Sequence, residues 1–212
     1  MKRYILALAA LALTLAFSAS CHKDREEAGT AGPQIDTVMA DNPWVRIDPL
    51  ELDMKPVSAF SQDWMALATG SKKNFNSMTI AWGTIGELWG KHVVIVYVSA
   101  DRYTKHLMDE NNYFTVTAFP DTKACKEALV YIGSHSQRDE PDKTANAGLT
   151  VEFTDLGNPV FAEGNLAIEC KKIYSDAFNL SKVPQEIREG MYAETGVHSF
   201  YIGEIVNVWE KK

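Results

Sequence analysis

The sequence predicts a mainly β domain with peripheral helices, and a mostly antiparallel barrel with helices packed around it fits best. Three observations carry this expectation. Six segments have the alternating or continuous apolar character of strands, the helical segments between them are short, and no G-x-G-x-x-G opens a helix after a strand. The last two argue against a doubly wound parallel sheet and a nucleotide site of that kind.

The strand segments are Trp64 to Thr69, Met78 to Trp82, Val93 to Ser99, Tyr113 to Phe119, Asn165 to Tyr174 and Phe200 to Trp209. The run Val93-Val94-Ile95-Val96-Tyr97-Val98 is uninterrupted, as in a strand covered on both faces, and reads as a central strand. Helices are expected over Arg102 to Glu110, Thr122 to Ile132, Asp142 to Ala147 and Pro184 to Glu189. Asp121 and Ser181 are suited to N-caps, Pro184 to a first turn and Gly190 to a stop.

The chain has 212 residues, 46% of them apolar and 23% charged, which suits a packed domain and excludes disorder, collagen and coiled coil. Its 21 Lys and Arg against 28 Asp and Glu leave a charge of −7, so no long-range field draws in a polyanion and nucleic acid is not an expected partner. No repeat or low-complexity linker divides the chain from Pro33 onward.

The N-terminus reads as a leader. Lys2 and Arg3 precede an apolar run from Tyr4 to Phe17, and Ser18-Ala19-Ser20 leads to Cys21. A secretory signal peptide over 1–20 follows, too short to span a bilayer comfortably. Cys21 after small residues resembles the lipobox of bacterial lipoproteins, which implies lipidation of Cys21 and a membrane anchor facing away from the cytoplasm, in the periplasm or at the surface of a Gram-negative cell. The stretch His22 to Gly32 is polar and rich in Gly and Ala, as a tether would be. The expected division is a leader over 1–20, a lipidated N-terminus and tether over 21–46, and one domain over 47–212.

Cys125 and Cys170 remain, in apolar surroundings on a predicted helix and a predicted strand. Without a C-x-x-C or His at ligand spacing, a metal site is not expected. Two separate core cysteines fit better than a disulfide.

Four strings offer chemistry. Asn74-Phe75-Asn76-Ser77-Met78-Thr79-Ile80-Ala81-Trp82-Gly83 runs from a polar loop into a strand, either as an ordinary turn or as a row of donors for a planar heterocycle. In Val98-Ser99-Ala100-Asp101-Arg102-Tyr103-Thr104 a buried strand ends where a helix begins, so a guanidinium and a hydroxyl meet a helix N-terminus, which suits a phosphate as well as a surface cap. Gly133-Ser134-His135-Ser136-Gln137-Arg138-Asp139 crowds hydroxyls, an amide and a guanidinium into one loop, without Walker spacing. Gly196-Val197-His198-Ser199-Phe200-Tyr201 places a histidine where a turn enters the last strand, as a capped surface residue or a contact to a reactant.

Taken in order, these strings, together with Asp63-Trp64-Met65, Leu88-Trp89-Gly90-Lys91 and Tyr201-Ile202-Gly203-Glu204-Ile205, resemble the flavin reductase-like family from about Ile47 to Val208. The resemblance implies an FMN-binding split β-barrel, FMN bound non-covalently, and a homodimer with the flavin near the subunit interface. It places Asn76, Ser77, Met78 and Thr79 along the isoalloxazine, Arg102 and Thr104 at the phosphate, and Ser134, Ser136 and Arg138 around the rest of the pocket. Many members carry Gly-Asp-His before the last strand to meet a nicotinamide nucleotide. Gly196-Val197-His198 keeps the histidine and lacks the acid, which makes His198 a contact to a donor or acceptor that need not be NAD(P)H. The function implied is an oxidoreductase carrying electrons from NAD(P)H or another donor to flavin or a small acceptor. An exported flavoprotein electron carrier and a small-molecule or flavin-binding lipoprotein without turnover are the alternatives.

Overall fold

The computed structural model of the chain describes residues 44–212; the leader over 1–20, Cys21 and most of the expected tether lie outside the described residues. The elements run β1 (Trp44–Ile47), α1 (Pro56–Ser58), β2 (Met65–Ser71), β3 (Asn74–Ile80), β4 (Gly83–Leu88), β5 (Lys91–Ser99), α2 (Tyr103–Glu110), β6 (Tyr113–Ala118) and α3 (Lys123–Ser134). They continue through α4 (Lys143–Asn146), β7 (Val151–Phe153), β8 (Pro159–Phe161), β9 (Leu166–Ala177), α5 (Gln185–Met191) and β10 (His198–Lys211).

Eight strands form one sheet of order β3-β2-β6-β9-β10-β5-β4, with β1 on the far half of β10 and every pairing antiparallel. Met78 and Ile80 of β3 bury into the same core as Val94, Val96 and Val98 of β5, although these strands stand near opposite ends of that order. The sheet is therefore rolled around one core. Among the described residues no ladder joins β3 to β4, so the roll stays open there, as in a split barrel.

Two register shifts in the β9–β10 ladder, at Ile202/Gly203 and Ile205/Asn207, bend the long strands inward. Gly203 sits where the curve is tightest. A Cβ there would lie 2.5 Å from the Phe114 ring and 2.6 Å from Cβ of Cys170.

On β2, Met65 and Leu67 enter the barrel while Ala66 and Ala68 face Ala128, Leu129 and Ile132 of α3. Two alanines give the helix a close seat, and α3 runs across β2 and β3 as a lid on the outer face. The hairpin β7–β8 closes the same layer with Phe161.

The six expected strands and four expected helices all form, with shifted ends. β1, β4, β7 and β8 were not expected: two are three residues long and one is four, and β4 carries two glycines that mask its pattern. β4 reaches β5 through a two-residue turn in which Trp89 (φ 56°) and Gly90 (φ 72°) are both left-handed. Val93 to Val98 is an interior strand between β10 and the edge strand β4. The sheet begins at Trp44, three residues before the expected boundary.

Helix ends also differ. Thr122, not Asp121, caps α3 through the Cys125 amide, Asn179 rather than Ser181 caps the turn before α5, Pro184 takes the N-cap position of α5, and Gly190 lies within α5. Among the described residues Cys125 and Cys170 are free thiols; Cys170 is buried in the barrel, whereas Cys125 is only half-buried on α3.

Gly203→Ala should cost about 1–3 kcal/mol, the range for overpacking a filled core, read as a lower urea midpoint with unchanged slope. An unchanged midpoint would mean that the Phe114 ring has room to retreat.

Candidate functional site

Strand alternation divides the string expected to line a flavin. Asn76 and Met78 face a cavity of about 100 Å³ beside α2, which Arg102, Thr104, Ser134, Ser136 and Lys143 also line. The side chains of Ser77 and Thr79 point to the other face of β3. Ser77 Oγ meets Thr144 Oγ1 at 3.4 Å, and Thr79 Oγ1 donates to the Leu129 carbonyl beneath Gly133. These two residues therefore bind β3 to α3 and α4, a correction that follows from the two-residue period of a strand.

Arg102 is the N-cap of α2, and no side chain caps the first turn of that helix. Its Nη1 donates to the Gly133 carbonyl at 2.9 Å, tying the helix start to the end of α3 and closing one side of the cavity. The other guanidinium donors remain for a ligand. Thr104, in the first turn of α2, is buried and accepts from Nδ2 of Asn76 at 2.9 Å.

Ser134 and Ser136 differ in what they can offer. Ser134 Oγ donates back to the Val130 carbonyl at 2.8 Å, so its proton is held by the helix, whereas Ser136 Oγ accepts from the Arg138 amide at 3.3 Å and keeps its proton for another acceptor. Arg138 lies outside the cavity lining, with its guanidinium 5.2 Å from the centre of the Tyr103 ring. A cation on an aromatic face is well placed there without a ligand.

Lys143 also lines this cavity, and the sequence carried no signal of it. Its neighbourhood, Asp142-Lys143-Thr144, reads only as an exposed helix start, yet the side chain is 1% exposed. Nζ donates to the Ser77 carbonyl at 2.6 Å, to Asn76 Oδ1 at 3.1 Å and to the Ile132 carbonyl at 3.5 Å. No carboxylate pairs with it. Burial, with Arg102 adding repulsion and Glu140 partly opposing, pulls its pKa down to about 8. Two cations thus meet at an uncapped helix start with neither in an ion pair among the described residues. That arrangement is complementary to an anion.

His198 stands at the other side of Arg102. The β5–α2 loop and the start of β10 are clasped together: Asp101 accepts from the Gly196 amide, Ser99 Oγ donates to the Gly196 carbonyl at 3.0 Å, and the Ala100 amide donates to the Val197 carbonyl at 3.2 Å. The imidazole packs against Trp82 with ring centres 4.8 Å apart and meets Tyr192 edge-on at 5.8 Å. Its Nδ1 is buried with no partner among the described residues. Burial and the Arg102 charge hold its pKa below the usual histidine value, against a smaller opposite effect of Asp101, so the ring is neutral at neutral pH and retains an acceptor nitrogen. The structure thus gathers Asn76, Met78, Arg102, Thr104, Ser136 and the missed Lys143, with His198 and an exposed Trp82 alongside.

Solved structures with this fold include an FMN-binding domain of a flavin reductases-like enzyme from Shewanella baltica, at 16% identity and TM-score 0.55, covering 84% of this chain and 80% of that one. A flavoredoxin from Methanosarcina acetivorans is similar at 19% identity and TM-score 0.56, over 79% of this chain and 75% of that one. An FMN-binding protein from Thermus thermophilus with bound 1-cyclohex-2-enone matches at 19% identity and TM-score 0.55, over 76% and 79%. No curated protein matches the chain in sequence. Residues 57–212 match the family model described as a flavin reductase like domain, and with the open antiparallel barrel around them this chain belongs to the flavin reductase-like family.

Proposed function

We propose that the domain binds FMN and acts as an oxidoreductase that carries electrons from a donor to flavin or to a small acceptor. The observation that carries this reading is the cavity walled by Arg102 and Lys143, which takes a phosphate in size and charge and leaves a ring system to lie outside it. FMN supplies the electron chemistry when bound, and the protein's share is to hold, orient and shield it. The first turn of α2, Arg102, Thr104 and Ser136 hold the phosphate. Asn76 and Met78 form the wall beside it, and Arg138 on Tyr103 borders the mouth. Ser77 and Thr79 act through β3, which they hold against the helices.

Tyr97, Tyr174, Phe200 and Phe178 just after β9 form an aromatic patch on the outer face of β5, β9 and β10, Tyr97 stacked on Phe178 and the other rings tilted, with Tyr174 43% and Phe178 37% exposed. A second copy of the chain covering this patch would shield the ring system, which supports the homodimer reading. Export with a lipid on Cys21 remains our reading of the N-terminus. Among the described residues no helix is long and apolar enough to cross a membrane.

Val197 in place of an acid favours a second reading as a flavoprotein electron carrier, with no nicotinamide nucleotide as donor. Bleaching of the bound flavin by NADH or NADPH under anaerobic conditions separates the two, since the carrier bleaches only with a chemical reductant.

Arg102→Ala should weaken FMN binding by roughly 10- to 150-fold, the equivalent of a charge-assisted contact of about 1.5–3 kcal/mol, and spare riboflavin. Equal losses for both flavins would make Arg102 a structural residue only. His198→Ala should keep its FMN and flavin spectrum while being reduced or reoxidised more slowly; loss of FMN during purification would place His198 in the cofactor shell instead. Cys21→Ser should leave the detergent phase for the aqueous phase on phase separation, and unchanged partitioning would rule out the lipid anchor.

A further inference from the structure

Lys143, Asn76 and Thr104 form a hydrogen-bonded chain whose direction is set by chemistry. An ammonium group only donates. Asn76 must therefore turn Oδ1 toward Lys143, at 3.1 Å, which directs its Nδ2 onto Thr104 Oγ1 at 2.9 Å. An amide nitrogen also only donates, so the Thr104 hydroxyl accepts on that side and its own proton points elsewhere. No other residue described takes that proton, and Thr104 lines the cavity at the start of α2.

We propose that Lys143 is a positioning residue for phosphate: acting through Asn76, it aims the Thr104 hydroxyl proton into the cavity and so sets the preference for a phosphorylated flavin over riboflavin. This rests on the reading of the cavity as the FMN phosphate site. Lys143 does not touch the phosphate. Its protons are directed at three carbonyl oxygens, on Ser77, Asn76 and Ile132. A neutral residue in its place makes no demand on Oδ1 and lets the Asn76 amide turn over. Oδ1 would then face Thr104, draw the hydroxyl proton inward and present lone pairs to the anion.

The charged and titratable groups around Lys143 are Arg102 on α2, Asp101 before it, His135 at the end of α3 and Glu140 in the loop before α4. Asp101 is engaged by the Gly196 amide and Glu140 by Tyr131 and Asn146, so neither replaces the ligand as counter-ion. Deprotonation of Lys143 itself lies at about 8 in the ligand-free protein. A depressed amine pKa means the proton is present below that pH and absent above it, so the orientation of Asn76 is enforced below about 8 and released above it. The second ionisation of a phosphate monoester, near 6, bounds the favourable window from below.

The test is the affinity of the flavin-free domain for FMN and for riboflavin, read by quenching of flavin fluorescence from pH 6 to 10. Wild type should prefer FMN and lose part of that preference above about pH 8, by about the factor that Lys143→Met costs, the remainder being held by Arg102. Lys143→Met should lower FMN affinity on the order of tenfold or more, leave riboflavin unchanged and remove the alkaline limb. Thr104→Val, which spares the buried lysine, should cost roughly three- to tenfold for FMN alone, with Thr104→Ser retaining affinity. In the Lys143→Met background Thr104→Val should cost little further. Equal binding of both flavins by wild type would overturn the phosphate reading and the proposal with it. A wild-type preference for FMN with fully additive losses at Lys143 and Thr104, or an unchanged alkaline limb in Lys143→Met, would overturn the proposal and leave the phosphate reading standing.

Discussion

A single sheet that must bury one core with both of its ends is the constraint on which the remaining geometry depends. β9 and β10 are the longest strands, and their ladder joins the β6 side of the roll to the β5 side. The bulges in that ladder and the bare Cα of Gly203 let Phe114 press against β10. Trp82, in the turn between β3 and β4, rests on His198 at the start of β10, across β5 from it. The clasp between Ser99, Asp101 and Gly196 then sets Arg102 beside the same histidine. With the roll closed this far, Asn76 on the first strand of the sheet order meets Thr104, which follows β5 near the other end, and these two are neighbours only because the sheet curls.

The site is electrostatically incomplete without a ligand. Burying an ammonium costs several kcal/mol, and here the three carbonyl acceptors offset part of that cost, with Glu140 attracting it from a distance but forming no ion pair with it. Contrast Glu169, equally buried, which accepts from Thr154, Asn158 and Asn207 and ties β7, β8 and β10 to β9 as a self-contained network. Glu169 completes its bonding with donors on the fold itself. Lys143 and Arg102 leave positive charge over an uncapped helix start, an arrangement that an anion would relieve.

How far this was legible from the sequence depends on periodicity. Continuous apolar runs such as Val93 to Val98 announce their strands, but Gly83-Thr84-Ile85-Gly86-Glu87-Leu88 has too few apolar residues to announce β4, which forms because a tight turn folds it back on β5. The positions of Asn76, Arg102 and Thr104 in one cavity were carried by family resemblance and by the helix start after a buried strand. Alternation along β3, applied to Asn76-Ser77-Met78-Thr79, would have sent Ser77 and Thr79 to the opposite face. Lys143 had no local signal. Whether a lysine near Thr144 is buried depends on β3 and α3 folding over it, a long-range fact that composition does not hold.

The charge of the whole chain and the charge of the cavity have opposite signs, and their ranges differ. A net charge of −7 repels an approaching anion beyond the first few ångströms, but at physiological ionic strength that field is screened over about 8 Å. Arg102 borders the cavity of about 100 Å³ from its exposed side and Lys143 adds its charge from the buried wall, so both act at short range. Under the proposed reading the arrangement would select against extended polyanions, which would feel the whole acidic surface, and admit one phosphate at the end of a flexible chain. Selectivity of this kind would come from where the cations stand rather than from how many there are.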